Sequence, residues 1–190
     1  MQLFEIFSAF GLSSSAGLNA YIPLLVISLI GKFTNLLELQ QPWDTLESWW
    51  IIGLLVILSL IEFFADKAPA VNHINDIIQT FVRPISGAIV FAASANVVSE
   101  IHPVLAMGAG LLIAGGVHAA KSLAVRPAVT ATTGGAANAP VSILEDVVAT
   151  ILSVASVIVP VLVACMLVII TSFIIWRWWR KANKQKAASS

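Results

Sequence analysis

Long apolar stretches alternate with short polar ones along the chain, at the lengths of helices that cross a bilayer. Five spans are expected. The first runs from about Phe7 to Gly31, although its opening turns, Ser13-Ser14-Ser15-Ala16-Gly17-Leu18-Asn19, are small and polar and suit protein or water better than lipid. Trp49-Trp50 begin a second span that ends near Ala65, with the indoles at the depth where such rings prefer to sit. Between Asp66 and Arg83 the chain is too polar to cross, yet Ile74, Ile77, Ile78, Phe81 and Val82 recur at helical spacing. An amphipathic helix lying at the interface is predicted there.

The third span, roughly Ile85 to Ser99, and the fourth form a hairpin through a tight turn at Glu100-Ile101-His102-Pro103. In the fourth, Gly110 with Ala114, Gly115 with Ala119, and Gly116 with Ala120 are small residues four apart, the spacing that lets helix backbones approach closely. Ser122 to Pro140, with Thr132-Thr133-Gly134-Gly135, reads as a polar re-entry loop. The last helix is expected from Val141 to Trp176, kinked at Pro160 because no glycine or polar turn accompanies that proline. The fold class is thus an all-α integral membrane protein of about five transmembrane helices, with an amphipathic interfacial helix and a polar re-entry loop on one side.

Composition agrees with lipid as the solvent: 58% of the 190 residues are hydrophobic and 11% charged, where a soluble domain carries about a quarter. Formal net charge is zero, but Arg177, Arg180, Lys181, Lys184 and Lys186 crowd the C-terminus. Residues 1–178 are expected to form a single transmembrane domain and 179–190 a basic, disordered cytoplasmic tail, with the N-terminus outside. This topology leaves Lys67, Arg83, Lys121 and Arg126 external, against the positive-inside bias. The N-terminus lacks the positive region of a signal peptide, so the first apolar segment is read as retained. Cys165, alone of its kind, is read as a small hydrophobe. Nucleic acid is not implied. A weak internal repeat is visible, since each of two hairpins ends in a lysine followed by Pro-Ala-Val, at Pro69 and Pro127.

Several segments together resemble a known family: Ala16-Gly17-Leu18-Asn19-Ala20-Tyr21-Ile22-Pro23, Glu62-Phe63-Phe64-Ala65-Asp66-Lys67-Ala68-Pro69, Gln79-Thr80-Phe81-Val82-Arg83-Pro84, His118-Ala119-Ala120-Lys121 and Glu145-Asp146-Val147. The chain is similar over about residues 10–160 to a bacterial multi-pass membrane family called domain of unknown function 4126. The resemblance implies a multi-pass protein of the bacterial cell membrane and brings no activity with it. It does direct attention to those polar positions.

The candidate polar cavity comprises Ser14, Asn19, Glu62, Asp66, Lys67, Asp76, Arg83, His118, Lys121, Arg126, Glu145 and Asp146. Glu62 and Asp66 are four apart and share a helix face, where two carboxylates near a low-dielectric boundary suit proton or cation binding. Either arginine has the geometry to clamp an anionic headgroup or solute. Against five acids (Glu62, Asp66, Asp76, Glu145, Asp146) stand four permanent cations, and this near-balance favours internal ion pairing over a free charge awaiting a ligand. Asn19, two turns inside a span, requires a partner. No metal or cofactor is expected, because His118 and Lys121 are not a zinc pattern and neither Ser13 to Ser15 nor Thr132 to Gly135 has the setting of an activated serine or a phosphate loop. Three functions remain open: a small transporter or channel for an ion or small solute, a membrane-embedded enzyme or binding protein for a lipid or lipid-linked substrate, and a structural or assembly protein. Besides the bilayer, a homo-oligomer is the expected partner, packed through the small-residue faces of the third and fourth spans.

Overall fold

Many polar side chains of this chain are buried beside its apolar core while many large apolar ones are exposed, unlike a soluble domain. Ser13, Ser15, Asn19, Glu62, Arg83, Ser94 and Ser153 are essentially fully buried, whereas Leu112 is 74% exposed and Trp50 88%. The computed structural model describes residues 2–67, 69–95 and 102–188, and every long element in it is helical. Helices α1 (Gln2–Leu18), α2 (Tyr21–Phe33), α3 (Trp49–Ala65), α4 (Pro69–Ala95), α5 (Pro103–Ala120), α6 (Arg126–Thr133), α7 (Asn138–Ile158) and α8 (Pro160–Ala188) follow in order. Segments 75–95, 103–133 and 138–158 are long and apolar enough to cross a membrane, and shorter apolar helices accompany them.

The predicted first span is two helices. The chain reverses at Asn19 and Ala20, where the Asn19 side-chain oxygen accepts from the backbone N–H groups of Tyr21 and Ile22, 3.1 Å each, and so caps α2. Pro23 sits in the first turn of α2, where its missing N–H costs no helical bond. The return is visible at the far end, where Phe4 and Glu5 of α1 share a cavity with Leu36 and Leu37 just beyond α2. A residue bonded to its own backbone two and three positions on needs neither glycine nor proline to turn, and the sequence carries neither at that point.

The interfacial helix and the third span are likewise one element, α4, with Pro84 inside it. Its periodicity is as expected but its orientation is inverted. Asn75, Gln79, Arg83 and Ser86 face the protein, while Ile77, Ile78 and Phe81 are half or more exposed. The predicted turn at residues 100–103 falls partly outside the described residues. Helix α5 packs antiparallel on α4 at very short range: a Cβ at Gly87 would meet the Gly110 carbonyl oxygen at 2.8 Å, and one at Gly110 would meet Phe91 Cβ at 2.6 Å. The small-residue ridge of Gly110 and Ala114 is therefore occupied within the chain.

Ser122 to Pro140 is not a loop. A π-helical segment, Lys121–Val125, joins α5 to α6, and only the turn at 134–137 breaks the helix, with Gly134 and Gly135 at φ 62° and 91°. Within the last turns of α6, Thr132 and Thr133 donate to the carbonyls of Ala128 and Val129, at 2.8 and 2.7 Å, so their hydroxyls are satisfied inside the helix.

The last span also divides. At Val159 (φ −136°, ψ 60°) the backbone leaves the helix, and α8 folds back along α1 and α7, so that Met166 and Thr171 line the same groove as Phe10, Ser14, Val148 and Ala155. A single kinked helix would carry those residues away from the bundle. Through this reversal the basic end of α8 reaches the same end of the molecule as Lys67, Arg83, Lys121 and Arg126, which the five-span reading had set on opposite sides. Seven helices, α1 to α5, α7 and α8, thus alternate between two ends, and α1 occupies the centre with its serines bonded outward: Ser13 to the Gly87 carbonyl and Ser15 to both the Ala149 carbonyl and Ser153.

Candidate functional site

Helix α3 ends at the charged end of the bundle, and its last turn carries Glu62 and Asp66 inward together. Opposite them, the buried stripe of α4 presents Arg83, which is entirely enclosed. Its Nη2 lies 2.9 Å from Glu62 Oε1 and 3.6 Å from Asp66 Oδ2, and Nε reaches the same Glu62 oxygen at 3.3 Å. The other Glu62 oxygen accepts from the Ala20 N–H at 3.2 Å, so this carboxylate ties the α1–α2 reversal to α4. Ser86 adds a second tie by donating to the Ala20 carbonyl.

Arg83 also fixes His118. Its Nη1 donates to His118 Nδ1 at 3.2 Å, and because guanidinium has no acceptor, Nδ1 must present a lone pair. The ring is then neutral, with its proton on Nε2, 3.2 Å from Thr80 Oγ1. That hydroxyl in turn donates to the Asp76 carbonyl at 2.8 Å. The arrangement leaves no imidazole nitrogen for a metal, and among the described residues no group of three His, Cys, Asp or Glu could hold one.

Asp66 is the hub. Its Oδ2 lies 3.0 Å from Arg126 Nη2, 3.6 Å from Arg83 and 4.0 Å from Lys121, and it accepts from Ser142 Oγ at 3.2 Å. Asn75 donates to its other oxygen at 2.6 Å. Burial alone would raise this carboxyl, but the Lys121, Arg83 and Arg126 charges outweigh it and hold Asp66 below the ordinary carboxylate range. Arg126 continues to Asp76, with Nη1 3.1 Å from Oδ1, and to Glu145 at 3.6 Å. Lys121 closes the ring at 2.7 Å from Glu145 while donating to the Leu18 carbonyl at 3.0 Å.

A smaller group sits beside it. Lys67 lies 3.1 Å from Asp146 Oδ2, whose other oxygen accepts from Asn19 Nδ2 at 2.9 Å. Asn19 therefore has the partner that its depth demanded, and it also caps α2. Replacing it with alanine removes the cap and one of the donors to Asp146 together. The expected cost is about 1–2 kcal/mol, read as a lowered unfolding midpoint in detergent.

Of the twelve sequence candidates, eight meet around Asp66 and three, Asn19, Lys67 and Asp146, in the group beside it. Ser14 joins neither: its hydroxyl bonds to the Phe10 carbonyl at 2.8 Å and lines the apolar groove beneath α8. Sequence reasoning missed Asn75, Gln79, Ser86 and Ser142, which share the buried stripes of α4 and α7. Asn75, Gln79 and Arg83 are four apart and share a face, a spacing that fits a face turned to solvent as well as one turned to protein.

A family model described as a domain of unknown function (DUF4126) matches residues 6–180. No curated protein and no solved structure matches the chain.

Proposed function

Because the chain belongs to the family described as domain of unknown function DUF4126, whose description assigns no activity, we propose from the geometry that it is a small multi-pass transporter or channel for an ion or small solute, closed at its charged end by the ion-pair assembly. The observation that carries this reading is the sharing of partners. Asp66 stands within 4.0 Å of three cations and Glu145 within 3.6 Å of two, so small helix movements would exchange one pair for another without stranding a charge. A purely structural core of this volume would be as stable if it were apolar. Charges that can rehydrate suit an end that opens.

The positive-inside bias supports a cytoplasmic charged end, since the four cations of the assembly and the basic end of α8 lie on that side, while Lys32 lies at the other, bonded to the Glu47 carbonyl at 2.7 Å. The reading therefore has seven passes, an external N-terminus and a cytoplasmic C-terminus. An enzyme acting on lipid-linked substrates needs an arginine that can reach a phosphate, and Arg83 is committed to Glu62 and His118.

The test is flux. Purified protein in liposomes is expected to conduct or exchange a small ion or solute, and replacing Asp66 with asparagine is expected to change that flux by roughly ten-fold or more through the shared hub. Folded protein that moves no ion, proton or small solute in any gradient sinks the proposal. A structural or assembly role is favoured by one feature, the pairing of every acid in the cluster, and it predicts absent flux together with rescue of single neutralisations by opposite ones.

A further inference from the structure

The side of the bundle formed by α1, α5, α7 and α8 carries a groove of about 570 Å³, the size of a small-molecule site. Its floor is the stripe of Phe10, Ser14 and Leu18 on α1, about 12 Å long at 1.5 Å per residue. Because α1 is the central helix, the groove is a lateral opening into the middle of the bundle. Its walls on α5 and α7 lie within segments long and apolar enough to cross a membrane, so it opens onto lipid rather than water. Both of its hydroxyls are satisfied by their own helices, Ser14 by the Phe10 carbonyl at 2.8 Å and Thr171 by the Val168 carbonyl at 3.1 Å. The occupant that such a lining suits is a hydrocarbon chain.

A bare apolar groove would take any such chain, and what discriminates stands above it on α8. Arg177 follows Met166 by eleven residues, three helical turns, and so continues the stripe of Met166 and Ile170, which line the groove. It lies about 9 Å beyond Thr171 along the helix axis. The exposed indoles of Trp176 and Trp179 flank it and mark the depth of lipid headgroups. Arg177 and Arg180 are exposed too, with the Arg180 guanidinium 4.8 Å from the centre of the Trp176 ring. Among the described residues neither is paired with an acid, unlike Arg83 and Arg126. Two guanidiniums without acid partners, at headgroup depth above a groove that suits a chain, complement a phosphate. A zwitterionic headgroup would bring its own cation to the same place, so an anionic one is selected. A second copy seated here about a two-fold axis along the membrane normal would bring the same arginines together.

We propose that this groove binds one anionic phospholipid, with a hydrocarbon chain along Phe10, Ser14 and Leu18 and the phosphate held by Arg177 and Arg180. Binding here does not depend on transport. The experiment is native mass spectrometry of the full chain, purified in detergent and incubated with phosphatidylglycerol, phosphatidylcholine or both. One retained phosphatidylglycerol is expected, in preference to phosphatidylcholine by roughly ten-fold. R177Q combined with R180Q should remove that preference and leave weak retention of either lipid, and both positions are exposed, so the fold does not depend on them. A155F fills the groove from α7 and should lower the retention of both lipids, with helical content measured alongside. If A155F does not fold, the arginine pair alone decides. No retained lipid, equal retention of the two lipids by the unaltered chain, a preference that survives the arginine substitutions, or full retention by folded A155F overturns the site. So does a lipid-free dimer that A155F dissociates, which would assign the groove to a second copy.

Discussion

Replacing Arg83 with methionine is expected to cost roughly 3–5 kcal/mol, the largest loss of any single neutralisation in this chain. Methionine is similar in bulk, so the loss comes from what stays behind. Glu62 would keep the Ala20 N–H but lose both guanidinium contacts in a fully buried setting, and His118 Nδ1 would lose its donor. Replacing Glu62 with leucine in the same chain removes the stranded charge and should recover half or more of the loss. The measurement is a double-mutant cycle of unfolding free energy in detergent. A single Arg83 variant as stable as wild type, or a double variant no better than the single, would show that the pair does not hold α3, α4 and the α1–α2 reversal together.

The second large effect is steric. Gly110→Leu is expected to destabilise the protein by roughly 3 kcal/mol or more, because a Cβ there already runs into the Gly87 carbonyl oxygen and Phe91, so that α4 and α5 must separate. Gly116 is the control. A Cβ at Gly116 meets nothing within 4 Å, so Gly116→Leu should fall within about 0.5 kcal/mol of wild type, with a small gain from helix propensity. The same control tests the expected homo-oligomer. If Gly116→Leu leaves the folded chain intact but lowers its molecular mass in detergent, a second copy covers the outward small-residue face of α5; an unchanged mass places that face against lipid.

These effects turn on contacts that the sequence discloses unevenly. The near-balance of five acids and four cations pointed to internal pairing, and the pairs are present down to Lys67 with Asp146 and Lys121 with Glu145. Helical spacing also placed Glu62 with Asp66 and gave Asn19 a reason to seek a partner. The two reversals were not legible. At Asn19-Ala20 the turn is made by one amide capping the next helix, and at Val159-Pro160 by one non-helical residue ahead of a proline, so neither interrupts the apolar run by which spans are counted. Hydrophobicity measures how much of a segment prefers lipid, not how often it changes direction. The inverted face of α4 has a related cause: the same period of apolar residues fits a helix floating at an interface and one embedded with its polar stripe against protein. Between 122 and 140 the composition of a loop hides a helix that persists to Thr133, because threonine hydroxyls can be satisfied by the preceding turn and the glycines lie beyond it.

The order of charges along the chain has a consequence for how the protein is made. Arg83 sits on a segment that would be costly to release into lipid by itself, by about 2.5 kcal/mol or more for the guanidinium at depth. Glu62, its partner, lies 21 residues upstream and leaves the ribosome first. Lys121 and Arg126 follow once Asp66 and Asp76 are in place, and Glu145 and Asp146 emerge last, after Lys121 and Lys67. Arg83, Lys121, Arg126, Glu145 and Asp146 therefore each reach the membrane with a counter-charge already in place, while Lys67 waits for Asp146 and Asp76 for Arg126, so most of the charges are paired as they arrive.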